Sequence, residues 1–148
     1  MNTIENQEKP WPLGYLLLAW GGSIMGMLGS LYFSEIANYP PCVLCWYQRI
    51  CMYPLVAILA VGITTKDRSV FRYALPFSLV GLGIALYHNL LYYEILPEAA
   101  APCVAGVSCT TKFIEWGGFV TIPLLAGLGF LGITILLLLF RRVVQKPE

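Results

Sequence analysis

Apolar residues occupy four long blocks of this chain, at residues 11–33, 45–63, 73–96 and 113–140, with short polar stretches between them. Each block reaches or approaches the ~20 residues that cross a hydrocarbon core about 30 Å thick at a rise of 1.5 Å per residue. Period-two alternation is absent. Lipid offers backbone groups no hydrogen-bond partners, so helices, which satisfy their own, are the workable way across. The pattern predicts an all-α membrane protein, a four-helix transmembrane bundle forming a single integral membrane domain over 1–148. The first block is longer than the 7–15 residues of a signal core, and Glu5 and Glu8 outnumber Lys9 ahead of it, so it is expected to be a retained helix. Pro54, Pro76 and Pro123 fall inside the second, third and fourth blocks. Gly26 with Ser30, Gly81 with Ala85, and the run Gly127, Gly129 and Gly132 offer small faces for close helix packing.

Composition strengthens this picture. Hydrophobic residues make up 58% of the chain and charged residues 11%, against about 25% charged in a typical soluble domain. Lipid is therefore the main solvent. A formal charge of +1 gives no electrostatic reason to expect a nucleic-acid partner. Lys9, the connection carrying Lys66, Arg68 and Arg72, and the tail with Arg141, Arg142 and Lys146 hold seven of the nine basic residues; Arg49 and Lys112 lie on the opposite side. Excess Lys and Arg stay in the cytoplasm, so both termini are expected there.

Five cysteines are present, and Cys42, Cys45, Cys103 and Cys109 lie in or beside the two connections that this topology puts outside. The outer face of a bacterial membrane is oxidising, and disulfides persist there. Cys42-Val43-Leu44-Cys45 opens the second helix directly after Pro40-Pro41. Proline suits a first helical turn, and the unpaired N–H groups and positive dipole end at that position stabilise a thiolate. Arg49 follows Cys45 by four residues and Cys42 by seven, about 40° and −20° around a helix, so the three share a face. An arginine at this depth needs a partner; a thiolate or the carbonyl of a bound quinone would serve. Structural disulfides and a zinc site are the competing readings. The second pair, with five residues between its cysteines, fits zinc-knuckle spacing poorly, neither outer connection contains a histidine, and no metal is expected. Cys51 lies on the opposite face from Cys42 and reads as an inert buried thiol.

The segment Cys42-Val43-Leu44-Cys45-Trp46-Tyr47-Gln48-Arg49 resembles the signature of the DsbB family of disulfide-bond-formation membrane proteins, and the short loop from Ala101 to Cys109 is similar to its BdbC branch. The resemblance covers nearly the whole chain. It implies a thiol–quinone oxidoreductase of the bacterial cytoplasmic membrane, with its redox cysteines on the extracytoplasmic face. Such a protein reoxidises a thioredoxin-fold thiol oxidase of DsbA or BdbD type and passes the electrons to a quinone. BdbC-like members favour menaquinone, with ubiquinone the other option. The resemblance makes Cys42, Cys45, Cys103 and Cys109 catalytic and assigns Arg49, Cys45 and His88 to the quinone. Cys103 would form the mixed disulfide with the partner, Cys109 being its mate. Longer-looped members have a wider second pair with an amphipathic segment between its cysteines, for which five residues leave no room. Alternatives are a vitamin-K-epoxide-reductase-like protein, whose pair lies near the end of a later helix, and a non-enzymatic membrane scaffold with two structural disulfides.

Overall fold

The computed structural model describes residues 11–97, 107–110 and 120–145; Cys103, Lys112 and the first part of the 113–140 block lie outside them. Four helices account for about three quarters of the described residues: α1 (Leu13–Leu31), α2 (Val43–Thr64), α3 (Phe71–Tyr92) and α4 (Ile122–Gln145). A π-helical turn, Tyr32–Ile36, continues α1. All four spans are long and apolar enough to cross a membrane. α1 packs on α2 and α4, and α3 packs on the same two helices, which closes a four-helix bundle.

The core is built from Leu16 and Ala19 of α1, Leu55 and Leu59 of α2, Ala74 and Ala85 of α3, and Phe130, Ile133, Leu137 and Phe140 of α4. Leu18, Met25, Val61, Leu86 and Leu128 point outward and remain exposed, as lipid-facing residues should. Small residues set the close approaches. A Cβ on Gly81 would enter the Phe130 ring, so glycine lets α3 and α4 touch there. Beside it, the Ser78 and Thr134 hydroxyls lie 2.6 Å apart, and Thr134 also donates to the Phe130 carbonyl at 2.7 Å. These pairings satisfy polar groups that would otherwise be unpaired in an apolar interior.

Three helical segments end on a non-glycine residue with positive φ: Asn38 at 53°, Lys66 at 51° and Glu94 at 58°. In each case the next amide reaches back to a helix carbonyl, Tyr39 to Phe33, Asp67 to Gly62 and Ile95 to Leu90, the bond that closes a Schellman-type end. Pro54 and Pro76 lie inside α2 and α3. Pro123 differs from the sequence expectation. It occupies the first turn of α4, where Thr121 Oγ1 accepts the Leu124 amide at 3.3 Å. A proline there sacrifices no intrahelical bond.

Candidate functional site

The site lies where α2 begins, against the end of α3 and the described loop segment 107–110. Cys42 is the N-cap of α2, with extended backbone at φ −72° and ψ 171°, and its sulfur accepts the Cys45 amide at 3.3 Å. Sulfur thus takes the place usually filled by a Ser or Asp oxygen at a helix start. The Cys42 and Cys45 sulfurs stand 2.8 Å apart, both residues being thiols. The Cys42 pKa is pulled below the ordinary thiol range, first by the Cys45 thiol bonded to it and then by His88, with burial opposing. The arrangement favours the thiolate at Cys42.

His88, from α3, stands over this pair and is 3% exposed. Its Nε2 lies 3.8 Å from the Cys42 sulfur and 3.2 Å from the Cys109 carbonyl, and Gln48 Nε2 is 3.4 Å from its Nδ1. Cys109 is disulfide-bonded. It is buried with Cys42, Leu44 and Leu91 in a small cluster distinct from the main core. The packing therefore brings Cys42, Cys45, His88 and Cys109 together from three segments; Cys103 is outside the described residues. Cys51 is a buried thiol in the main core.

Arg49 finds partners that the sequence did not indicate. Its Nε donates to Ser30 Oγ at 2.7 Å and an Nη donates to the Ser30 carbonyl at 2.8 Å. The guanidinium also lies 5.2 Å from the centre of the Trp46 ring. Ser30, expected to serve as a small packing residue, is Arg49's anchor. The bonded carbonyl lies just ahead of the π-helical turn, and a side chain inserted into a helix's carbonyl ladder is a recognised cause of such a break.

Below the thiol pair opens a cavity of about 460 Å³, within the few hundred Å³ typical of small-molecule sites. Cys45, Arg49 and Met52 line one wall and Gly22, Gly26 and Gly29 of α1 another. Nothing lies within 4 Å of a Cβ built on Gly29, whereas one on Gly26 would meet Met52 at 3.0 Å. A largely apolar slot with a cation and a thiol at its mouth fits a flat, apolar ring that carries carbonyl oxygens. A metal is the other conceivable ligand, because the donor atoms of Cys42, Cys45 and His88 lie within 4.8 Å of one another. Two thiolates on a tetrahedral zinc, at about 2.3 Å each, would stand about 3.7 Å apart. The Cys42 and Cys45 sulfurs, 2.8 Å apart, are closer than that.

A dithiol at the start of a membrane-spanning helix, with Cys42 buried, Cys45 half-buried and a bonded cysteine packed beside them, is an arrangement suited to thiol–disulfide exchange. The chain belongs to the DsbB family: the family model described as disulfide bond formation protein DsbB matches residues 13–140. It is 50% identical over 127 residues to the probable disulfide formation protein C of Halalkalibacterium halodurans, covering 86% of this chain and 93% of that protein. Against the probable disulfide formation protein C of Bacillus cereus it is 48% identical over 120 residues, 81% of this chain and 86% of the relative. Against the disulfide bond formation protein C of Bacillus subtilis it is 44% identical over 134 residues, 90% and 96% of the two chains. No solved structure matches the chain. Its role is in disulfide bond formation, within a family of disulfide-generating membrane oxidoreductases associated with quinones.

Proposed function

We propose that this protein is a protein-dithiol:quinone oxidoreductase that reoxidises an extracytoplasmic thioredoxin-fold thiol oxidase of DsbA or BdbD type. The observation that carries the reading is the Cys42–Cys45 pair, packed beside buried, disulfide-bonded Cys109 at a cavity that Arg49 also lines. The partner's dithiol reduces the Cys103–Cys109 disulfide through a mixed disulfide at Cys103 and leaves as a disulfide. The Cys109 thiolate then attacks the Cys42 sulfur of an oxidised Cys42–Cys45 pair, forming a Cys42–Cys109 bond and releasing Cys45. Cys103 attacks Cys109, restores the loop disulfide and releases Cys42 as a thiolate. Two electrons have then moved from the partner to Cys42 and Cys45.

A bound quinone supplies a two-electron, two-proton acceptor, and menaquinone is the form that the BdbC-like resemblance favours. Cys45 borders its cavity, and Arg49 holds a fixed positive charge on the same wall. Ser30 fixes the guanidinium. The basic residues of the 64–72 connection and of the C-terminal tail support cytoplasmic termini and an extracytoplasmic thiol site.

The test uses the full-length protein in lipid nanodiscs, with a reduced thioredoxin-fold oxidase and menaquinone. Partner oxidation should depend on quinone and yield one quinol per disulfide. Absence of quinone-dependent turnover would overturn the reading. Orientation is checked in intact reduced cells with a membrane-impermeant thiol reagent, which should label Cys103; labelling confined to inverted membranes would reverse it.

A further inference from the structure

The hydrogen bonds around His88 fix one ring tautomer. A glutamine amide nitrogen can only donate, so Nδ1, facing Gln48 Nε2 at 3.4 Å, accepts and carries no proton. A carbonyl oxygen can only accept, so Nε2, facing the Cys109 oxygen at 3.2 Å, donates. Two partners on opposite sides of the ring thus require the same arrangement. The Nε2–H also faces the Cys42 sulfur at 3.8 Å. Gln48, His88 and Cys109 are all buried, so little water competes for these contacts. His88 also borders the cavity, but both its ring nitrogens are engaged by the protein, which suits it to joining the two cysteine segments.

We infer that Gln48 and His88 form a latch that seats the Cys109 backbone against Cys42, making them positioning residues for thiol exchange between the two pairs. This rests on the exchange path proposed above and deepens it. Cys109 lies in the described segment 107–110, outside the four helices. A sulfur that must attack in line with a disulfide needs its backbone held, because misplacement by about 1 Å costs on the order of a hundredfold in rate. The latch holds the Cys109 carbonyl, two bonds from the Cα that carries the attacking side chain. Gln48 contributes by keeping the proton on the nitrogen that faces Cys109. Without it the ring is free to move its proton to Nδ1 and present a lone pair to the carbonyl, which repels it.

The test reads proximity without needing quinone or partner. In the full chain with Cys45→Ser, Cys51→Ser and Cys103→Ser, Cys42 and Cys109 are the remaining thiols. A thiol-specific azo oxidant, diamide, converts them to a disulfide as it is reduced to the hydrazine, and trapped samples are read by gel shift. His88→Ala should slow this crosslink at least tenfold and Gln48→Leu several-fold. His88→Gln, which can place an amide N–H near the original Nε2, should recover most of the rate. In the otherwise native protein, His88→Ala should lower kcat with the quinone KM held. An unchanged crosslink rate in His88→Ala would overturn the latch, as would failure of His88→Gln to rescue when both variants elute and melt like the parent. A normal crosslink rate with a raised quinone KM would also overturn it and make His88 a quinone-binding residue. If the crosslink is His88-dependent but the protein with its native cysteines shows no quinone turnover, the latch stands and the quinone reading falls.

Discussion

Replacing Arg49 with alanine tests the cavity most directly. The side chain makes two hydrogen bonds to Ser30, at 2.7 and 2.8 Å, and bonds involving a charged group contribute about 1.5–3 kcal/mol each. The Trp46 ring, 5.2 Å away, adds about 0.5–1 kcal/mol. Those contacts fix the cation at the cavity wall, and the fixed charge acts on whatever negative charge develops beside it. For unit charges about 6 Å apart at an effective dielectric near 20, the attraction is about 2.8 kcal/mol. If relaxation and entering water remove half, about 1.4 kcal/mol remains, or tenfold in rate or affinity. Arg49→Ala should therefore lower kcat/KM for quinone at least tenfold. Arg49→Lys retains the charge but loses the planar fork that grips both Ser30 oxygens, so a loss of about three- to fivefold is expected. Ser30→Ala, which leaves the charge and removes one anchor, should fall between the parent and Arg49→Ala. The assay titrates menaquinone against fixed reduced partner in nanodiscs, with insertion checked by size exclusion. If Arg49→Ala keeps both kcat and quinone KM, the arginine serves only to tie α2 to α1, and the electrostatic argument fails.

Serine at Cys42, Cys45, Cys103 or Cys109 should abolish turnover while Cys51→Ser retains it; full activity in the Cys103 or Cys109 variant would make the loop disulfide a staple. Because Cys45 and His88 lower the Cys42 pKa, its thiolate should persist as pH falls. Alkylation of Cys42 in the reduced protein should stay nearly flat from about pH 8 to pH 6, where an ordinary thiol of pKa about 8.5 loses nearly a hundredfold; a slope like that of free cysteine would refute the lowered value. Gly81→Ala should destabilise the bundle by about 1–3 kcal/mol in thermal melts, because its Cβ enters the Phe130 ring. Gly29→Leu meets open space at its Cβ, so it should melt like the parent yet raise the quinone KM several-fold by filling the cavity it borders.

The bundle was legible because lipid imposes a coarse, strong rule. Four blocks of about twenty apolar residues have few other uses, and the CxxC beside two prolines marks a helix start by local chemistry alone. The ends were less legible. The apolar stretch ran the fourth block from 113 to 140 and put Pro123 in its interior, whereas α4 runs Ile122–Gln145 with Pro123 in its first turn. A long apolar composition does not mark where the hydrogen-bond ladder begins; a cap such as Thr121 does, and a lone threonine among apolar residues is a weak signal.

The contacts that organise the site were hidden for a different reason. Gln48 meets His88 across 40 positions, and Arg49 meets Ser30 across 19. Helical spacing relates residues within one helix and is silent about which residue of another helix faces them. An intramembrane arginine announces that it needs a partner, but Ser30 looked like one more small residue in a face made for packing. The glycines of α1 show that such a face can serve two purposes. At Gly26 the missing side chain is filled by Met52, which is packing; at Gly29 nothing fills it, which leaves room in the cavity. The same small-residue pattern that brings α1 close to α2 therefore also leaves room for a ligand beside Cys45. Which of these a given glycine does depends on the size of the residue opposite, and so on packing that spacing along one helix does not specify.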